Sequence, residues 1–202
     1  MPQNKFKNPL SKDTFQLATV DSHRVFLVYA KNEFVLYKKH VASDKVEQVS
    51  DSNVVMSFDN ENYMSVRYVI DGRIEGFLYE FHRKNKLSHV AFYSFGIMEG
   101  TELYIRKNGN VWIENNYLHG WFHGVVKHYF YGKGRLLRTA MYKNGKKEGE
   151  GIGYFRSGKV SMRTIYENGK ADGVGQVYNR KGKIIRCNYY IQGELVKVEK
   201  ND

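Results

Sequence analysis

Residues 142–165 read YKNGKKEGEGIGYFRSGKVSMRTI, and from Tyr166 the same phrase begins again as YENGKADGVGQVYNRKGK. In the first stretch, Asn144-Gly145 is a two-residue hairpin signal: both residues tolerate φ > 0, and a type I′ turn matches the twist of the strands it joins. Ser157-Gly158 marks a second reversal, again at a residue able to take positive φ. Between the turns, GIGYF and KVSMRTIY are rich in aromatic and branched residues, so one unit reads as two antiparallel strands.

The phrase extends in both directions. Gly72, Gly96, Gly120, Gly145, Gly169 and Gly193 follow one another at steps of 24, 24, 25, 24 and 24 residues. A second glycine stands four positions after each of the first five, at Gly76, Gly100, Gly124, Gly149 and Gly173. A third position carries Asn85, Gly109, Gly158 and Gly182, with Gly134 one step late in the 25-residue copy. Tyr93, Tyr117, Tyr142, Tyr166 and Tyr190 precede the leading glycines by three, with Val69 in the first copy. A fixed period in this range signals stacked units. The fold expected is all-β: an elongated, twisted antiparallel meander of hairpin repeats, about ten strands over residues 63–202. Residues 1–62 show no register with the repeat and read as a mostly β N-terminal cap. RVFLVY (24–29), EFVLYK (33–38) and VVMSF (54–58) are its expected strands, and residues 1–13 are expected to be mobile.

Aromatic columns along such an array form either an internal ladder or a ligand-binding surface. Phe81, Tyr129, Tyr154 and Tyr178 make one column, with Ile105 in the second copy, and the tyrosines before the turns make the other.

Composition narrows the chemistry. The net charge is +11, yet residues 1–62 hold eight basic and eight acidic side chains, so the whole excess falls on the repeats. Such a field favours acidic partners without saying which kind. Cys187 is the only cysteine, which excludes an internal disulfide and points to a reducing compartment. The first twenty residues lack the apolar stretch of a signal peptide, and no apolar run approaches membrane-spanning length. A cytoplasmic protein is expected.

The spacing Tyr-x-x-Gly-x3-Gly, with NGK- and EG-type turns, resembles the membrane occupation and recognition nexus (MORN) repeat. It looks most like the bacterial variant found in proteins often labelled antitoxin components of toxin–antitoxin systems. The resemblance covers roughly residues 66–196, with Val69 and Phe95-Gly96 departing from the pattern. It implies a twisted sheet of β-hairpins that binds proteins, or membranes in eukaryotic members, without catalysis.

No enzyme signature stands beside it. Glu75, Glu99, Glu148 and Asp172 precede the second glycine, with His123 in the middle copy. Neighbouring copies set these acids about 10 Å apart, beyond the spacing glycosidases use. An acid repeated at every hairpin is normally a hydrogen-bonding turn feature or a partner for a nearby lysine. His119, His123 and His128 lack the further ligands zinc needs, so neither a metal nor a cofactor is expected.

Basic columns are more informative. Arg83, Lys107, Arg156 and Arg180 stand two residues before the third turn position. Lys86, Arg135, Lys159 and Lys183 stand one after it, with Asn110 breaking the series. They predict a basic rim. Trp112, Trp121, Phe122, Arg138 and Arg163 are the expected aromatic and arginine anchors of a partner. The leading expectation is a non-catalytic protein-binding repeat protein of antitoxin or immunity type, neutralising an acidic toxin through its sheet face and rim. The alternative is a scaffold on an anionic membrane surface. Single-stranded nucleic acid ranks last, since no RNA-binding motif is present.

Overall fold

A computed structural model of the chain describes residues 14–20, 23–30, 33–40, 46–48, 52–59, 63–82, 86–132 and 134–201. Every regular element among them is a β-strand. Strands β1 (Thr14–Val20), β2 (His23–Ala30), β3 (Glu33–His40) and β4 (Val46–Gln48) form a four-stranded antiparallel sheet in that order.

The second sheet has fifteen strands. They are β5 (Val54–Asp59), β6 (Tyr63–Ile70), β7 (Arg73–His82), β8 (Lys86–Ser94), β9 (Ile97–Ile105), β10 (Val111–Leu118), β11 (Trp121–Phe122) and β12 (Gly124–Tyr129). The rest are β13 (Leu136–Lys143), β14 (Lys146–Tyr154), β15 (Val160–Glu167), β16 (Lys170–Ala171), β17 (Gly173–Tyr178), β18 (Ile184–Ile191) and β19 (Glu194–Lys200). They follow one another in chain order, with the two-residue strands β11 and β16 set beside β10 and β15. The sheet is therefore an open meander, not a barrel, as the repeat predicts. All three strands expected before residue 62 are present, within β2, β3 and β5. Residues 1–13 lie outside the described residues.

The chain divides into two compact units, Met1–Asn85 with Phe92–Ile97, and Lys86–Ala91 with Met98–Asp202. In the first, β1 lies against β6 and β7. Val66, Tyr68 and Phe81 are fully buried there, and along β6 Met64, Val66 and Tyr68 alternate with more exposed residues as period-2 burial demands. The second unit buries few large apolar side chains, Val126 chief among them. Its order comes from turns and from contacts between neighbouring strands.

All six leading turns take the conformation expected of Asn144-Gly145, the departing Phe95-Gly96 included. Asp71-Gly72, Phe95-Gly96, His119-Gly120, Asn144-Gly145, Asn168-Gly169 and Gln192-Gly193 each have positive φ at both residues. Each of the last five turns is fastened to the preceding copy. Gly96, Gly120, Gly145, Gly169 and Gly193 donate their amides to the carbonyls of Ile74, Met98, Phe122, Lys147 and Ala171. The acidic column adds a second fastening. Glu75 accepts from the Phe95 amide at 2.6 Å, Glu99 from His119 at 2.8 Å, Glu148 from Asn168 at 2.9 Å and Asp172 from Gln192 at 3.3 Å. The carboxylates thus complete the amides of residues held in the costly left-handed region.

Candidate docking surface

Direct cross-strand partners share a sheet face, so the register sorts the second unit's side chains. One row runs His128, Arg138, Gly153, Met162, Val177 and Arg186. Beside it lies a row of small residues, Val126, Ala140, Gly151 and Thr164, continued by Gly175 and Asn188. Next comes the tyrosine row: Tyr142, Tyr166 and Tyr190 pair with Gly124, Gly149 and Gly173. The second-glycine column of the sequence therefore faces the tyrosine column across each strand pair.

Gly151 and Gly175 serve a different purpose from the turn glycines. A Cβ on Gly151 would meet Cε2 of Tyr166 at 2.8 Å, and one on Gly175 would meet Cε2 of Tyr190 at 3.1 Å. The tyrosine rings lie down on bare backbone. In an earlier copy the same position is Glu102, which is almost fully buried and accepts from the Tyr117 hydroxyl at 3.1 Å. Burial pushes the Glu102 carboxyl up, but hydrogen bonds from His89 (2.9 Å) and Asn115 (2.7 Å) outweigh it and hold the group below the usual carboxylate range.

The small row, the tyrosines and the cationic row enclose a shallow groove of about 170 Å³. Arg138, His128, Lys147 and Met162 line it with Tyr142 and Tyr166. Burial, with the Arg138 charge beside it, lowers the His128 pKa below the ordinary imidazole value. The Lys147 ammonium sits 4.7 Å from the centre of the Tyr166 ring. None of the three rows from β12 to β18 contains an acidic residue.

The opposite face has the converse arrangement. Its row Lys127, Thr139, Ile152, Arg163, Gln176 and Cys187 is bordered by carboxylates, each matched to a cation. Glu114 pairs with Lys127 at 2.7 Å, Glu150 with Arg163 at 2.7 Å and Glu199 with Lys197 at 2.5 Å. Glu114 also accepts from Tyr129, whose hydroxyl is pushed up to about 12 by burial and by that bond. Arg138 and Arg186 have no carboxylate partner among the described residues. From β12 to β18 the paired acids lie on one face, which leaves the other face cationic there.

The expected anchors do not converge. Arg138 faces the groove, whereas Arg163 faces away from it in its ion pair with Glu150. Phe122 is half-buried between Tyr117 and Tyr142, with ring centres 4.8 and 5.3 Å away, so it belongs to the ladder. Trp121 is 64% exposed, and its ring rests on Gly145, where a Cβ would approach to 2.8 Å. Trp112 lies at the other end of β10, about 20 Å of strand away. There Arg106 stacks on both Trp112 and Tyr131, at 5.4 and 5.2 Å.

The rim is partly assembled. Arg156 lies over Phe130 at 4.9 Å and lines one recess together with Arg180. Lys107 is exposed, and Arg83 lies outside the described residues. The second basic column works partly as fastening: Lys86 donates to the Lys107 carbonyl at 3.3 Å, and Arg135 to that of Arg156 at 2.7 Å. His119 bonds Glu99 through Nδ1 at 2.8 Å, while His128 turns to the groove. Among the described residues no group of three His, Cys, Asp or Glu is placed to hold a metal ion. Among the described residues no helix is long and apolar enough to cross a membrane.

No family model matches the chain, and no curated protein is significantly similar to it.

Proposed function

We propose that the chain is a non-catalytic protein-binding repeat protein of the antitoxin or immunity type, which engages an acidic protein through one face of its sheet and the adjoining basic rim. The observation that carries this reading is the segregation of charge. Glu114, Glu150 and Glu199 are each matched to a cation on one face, while Arg138, Lys147 and Arg186 stand on a face whose rows hold no acid from β12 to β18. Long-range attraction to an acidic surface steers encounter, and a few arginine and aromatic contacts then hold the complex. The resemblance of the repeat to bacterial antitoxin components supports the same class.

Affinity purification of the tagged chain from its native host tests this reading. It predicts one dominant acidic protein, recovered in both directions and released by salt. Failure of reciprocal recovery, or a partner with a basic surface, counts against it.

A further inference from the structure

Resting on the protein-binding reading, we propose that the groove over Gly151 is the docking site, and that its occupant is an extended acidic segment of the partner lying across the strands.

Three observations define the occupant. The first is charge: Arg138 stands on one wall and Lys147 on the other, Arg186 lies further along Arg138's row, and the rows from β12 to β18 hold no acidic residue. A carboxylate entering there meets donors and no repulsion. The second is length. Arg138 and Arg186 stand in one row, four strand steps apart, about 19 Å at ordinary strand spacing, which an extended segment crosses in about six residues. The third is what the aromatic rings offer. Tyr166 lies with its ring on Gly151 and has the Lys147 ammonium above it. A face covered in this way is closed to a stacking base, which argues against single-stranded nucleic acid, whose sequence-tolerant binding depends on open ring faces. The recessed glycine floor likewise gives an acyl surface no flat apolar area to enter. Acidic side chains spaced along an extended segment, with Met162 and Val126 beneath the aliphatic residues between them, match the lining.

The test uses the full chain labelled with ¹⁵N and three probes: a twelve-residue peptide alternating Glu and Leu, oligo(dT) of matching length, and vesicles containing phosphatidylserine. The peptide is expected to shift the Gly151, Gly153 and Gly175 amides. Arg138→Glu should weaken its binding at least tenfold. Arg163→Glu, on the opposite face, should change it less than twofold, and Arg138→Lys should retain most of it. Peptide shifts confined to the Arg156–Arg180 recess would overturn the assignment. So would equal losses for the two charge reversals, or binding of oligo(dT) or vesicles in preference to the peptide. If a native partner is captured while the Gly151 amide stays unmoved in its complex, the groove assignment falls and the protein-binding reading survives. If no partner exists, the broader reading falls first.

Discussion

The Glu148 carboxylate accepts the Asn168 amide at 2.9 Å, so one hairpin turn fastens the next, twenty residues along the chain. The same bond recurs from Glu75, Glu99 and Asp172, and it accounts for the acidic column as a turn-fastening feature. Glu148→Ala should lower stability by about 1 kcal/mol, because an amide in a strained turn loses a charged acceptor that water replaces only in part. Urea melts of the variant and parent measure this. His123 occupies the acid's place in the 25-residue copy, where Gly145 keeps its bond to the Phe122 carbonyl. His123→Glu should therefore raise the midpoint if the missing carboxylate is what that copy lacks.

Phe95 sits at φ 51° with 75% of its surface exposed. A bulky side chain in the left-handed region is costly, and nothing on the surface repays it by burial. Phe95→Asn is expected to stabilise the fold by about 1 kcal/mol in the same melts. A loss of stability would mean that the phenyl ring makes a contact that its exposure conceals.

Gly151 does not have positive φ, so its glycine is required by clearance alone. Gly151→Val would drive a side chain into the Tyr166 ring and is expected to cost about 1–3 kcal/mol. Tyr166→Ala should remove most of that penalty, since the obstructing atom belongs to the ring. A double-mutant cycle measures the coupling, and strict additivity of the two changes would refute the contact.

Stability should fall in two stages as the solution is acidified. His128 has a lowered folded pKa, so protonation favours the unfolded chain once the pH drops below the unfolded value of about 6.5. Glu102 also has a lowered folded pKa, so its contribution is complete above the unfolded carboxylate range and is lost as pH falls through the folded value. His128→Gln should flatten the upper stage and Glu102→Gln the lower. Melting temperatures across pH 3–8 compare the variants, and an unaltered profile in both would contradict these assignments.

The turns were legible because a glycine recurring every 24 residues fixes backbone conformation whatever precedes it. Even Phe95, His119 and Gln192 adopt the positive φ that Asn144 and Asn168 take easily. The strand Thr14–Val20 was not read, since TFQLATV has neither a turn signal of its own nor a place in the repeat. Sheet face was harder than sheet content. Arg138 stands four residues before Tyr142, whereas Arg163 stands three before Tyr166. That single step of parity sends them to opposite faces. Counting from the tyrosines would have separated them. The groove floor was hidden for another reason: the turn glycines and the clearance glycines look identical in a sequence, and only the overlying ring of Tyr166 distinguishes Gly151.

Reversal of charge on each face, measured by calorimetry against the partner recovered from the native host, is the most direct test of the docking account. Arg138→Glu with Arg186→Glu should weaken the complex by well over tenfold, while Arg163→Glu leaves it within twofold. Equal weakening by both changes, or undiminished binding by the Arg138 and Arg186 variant, would contradict a one-sided acidic interface.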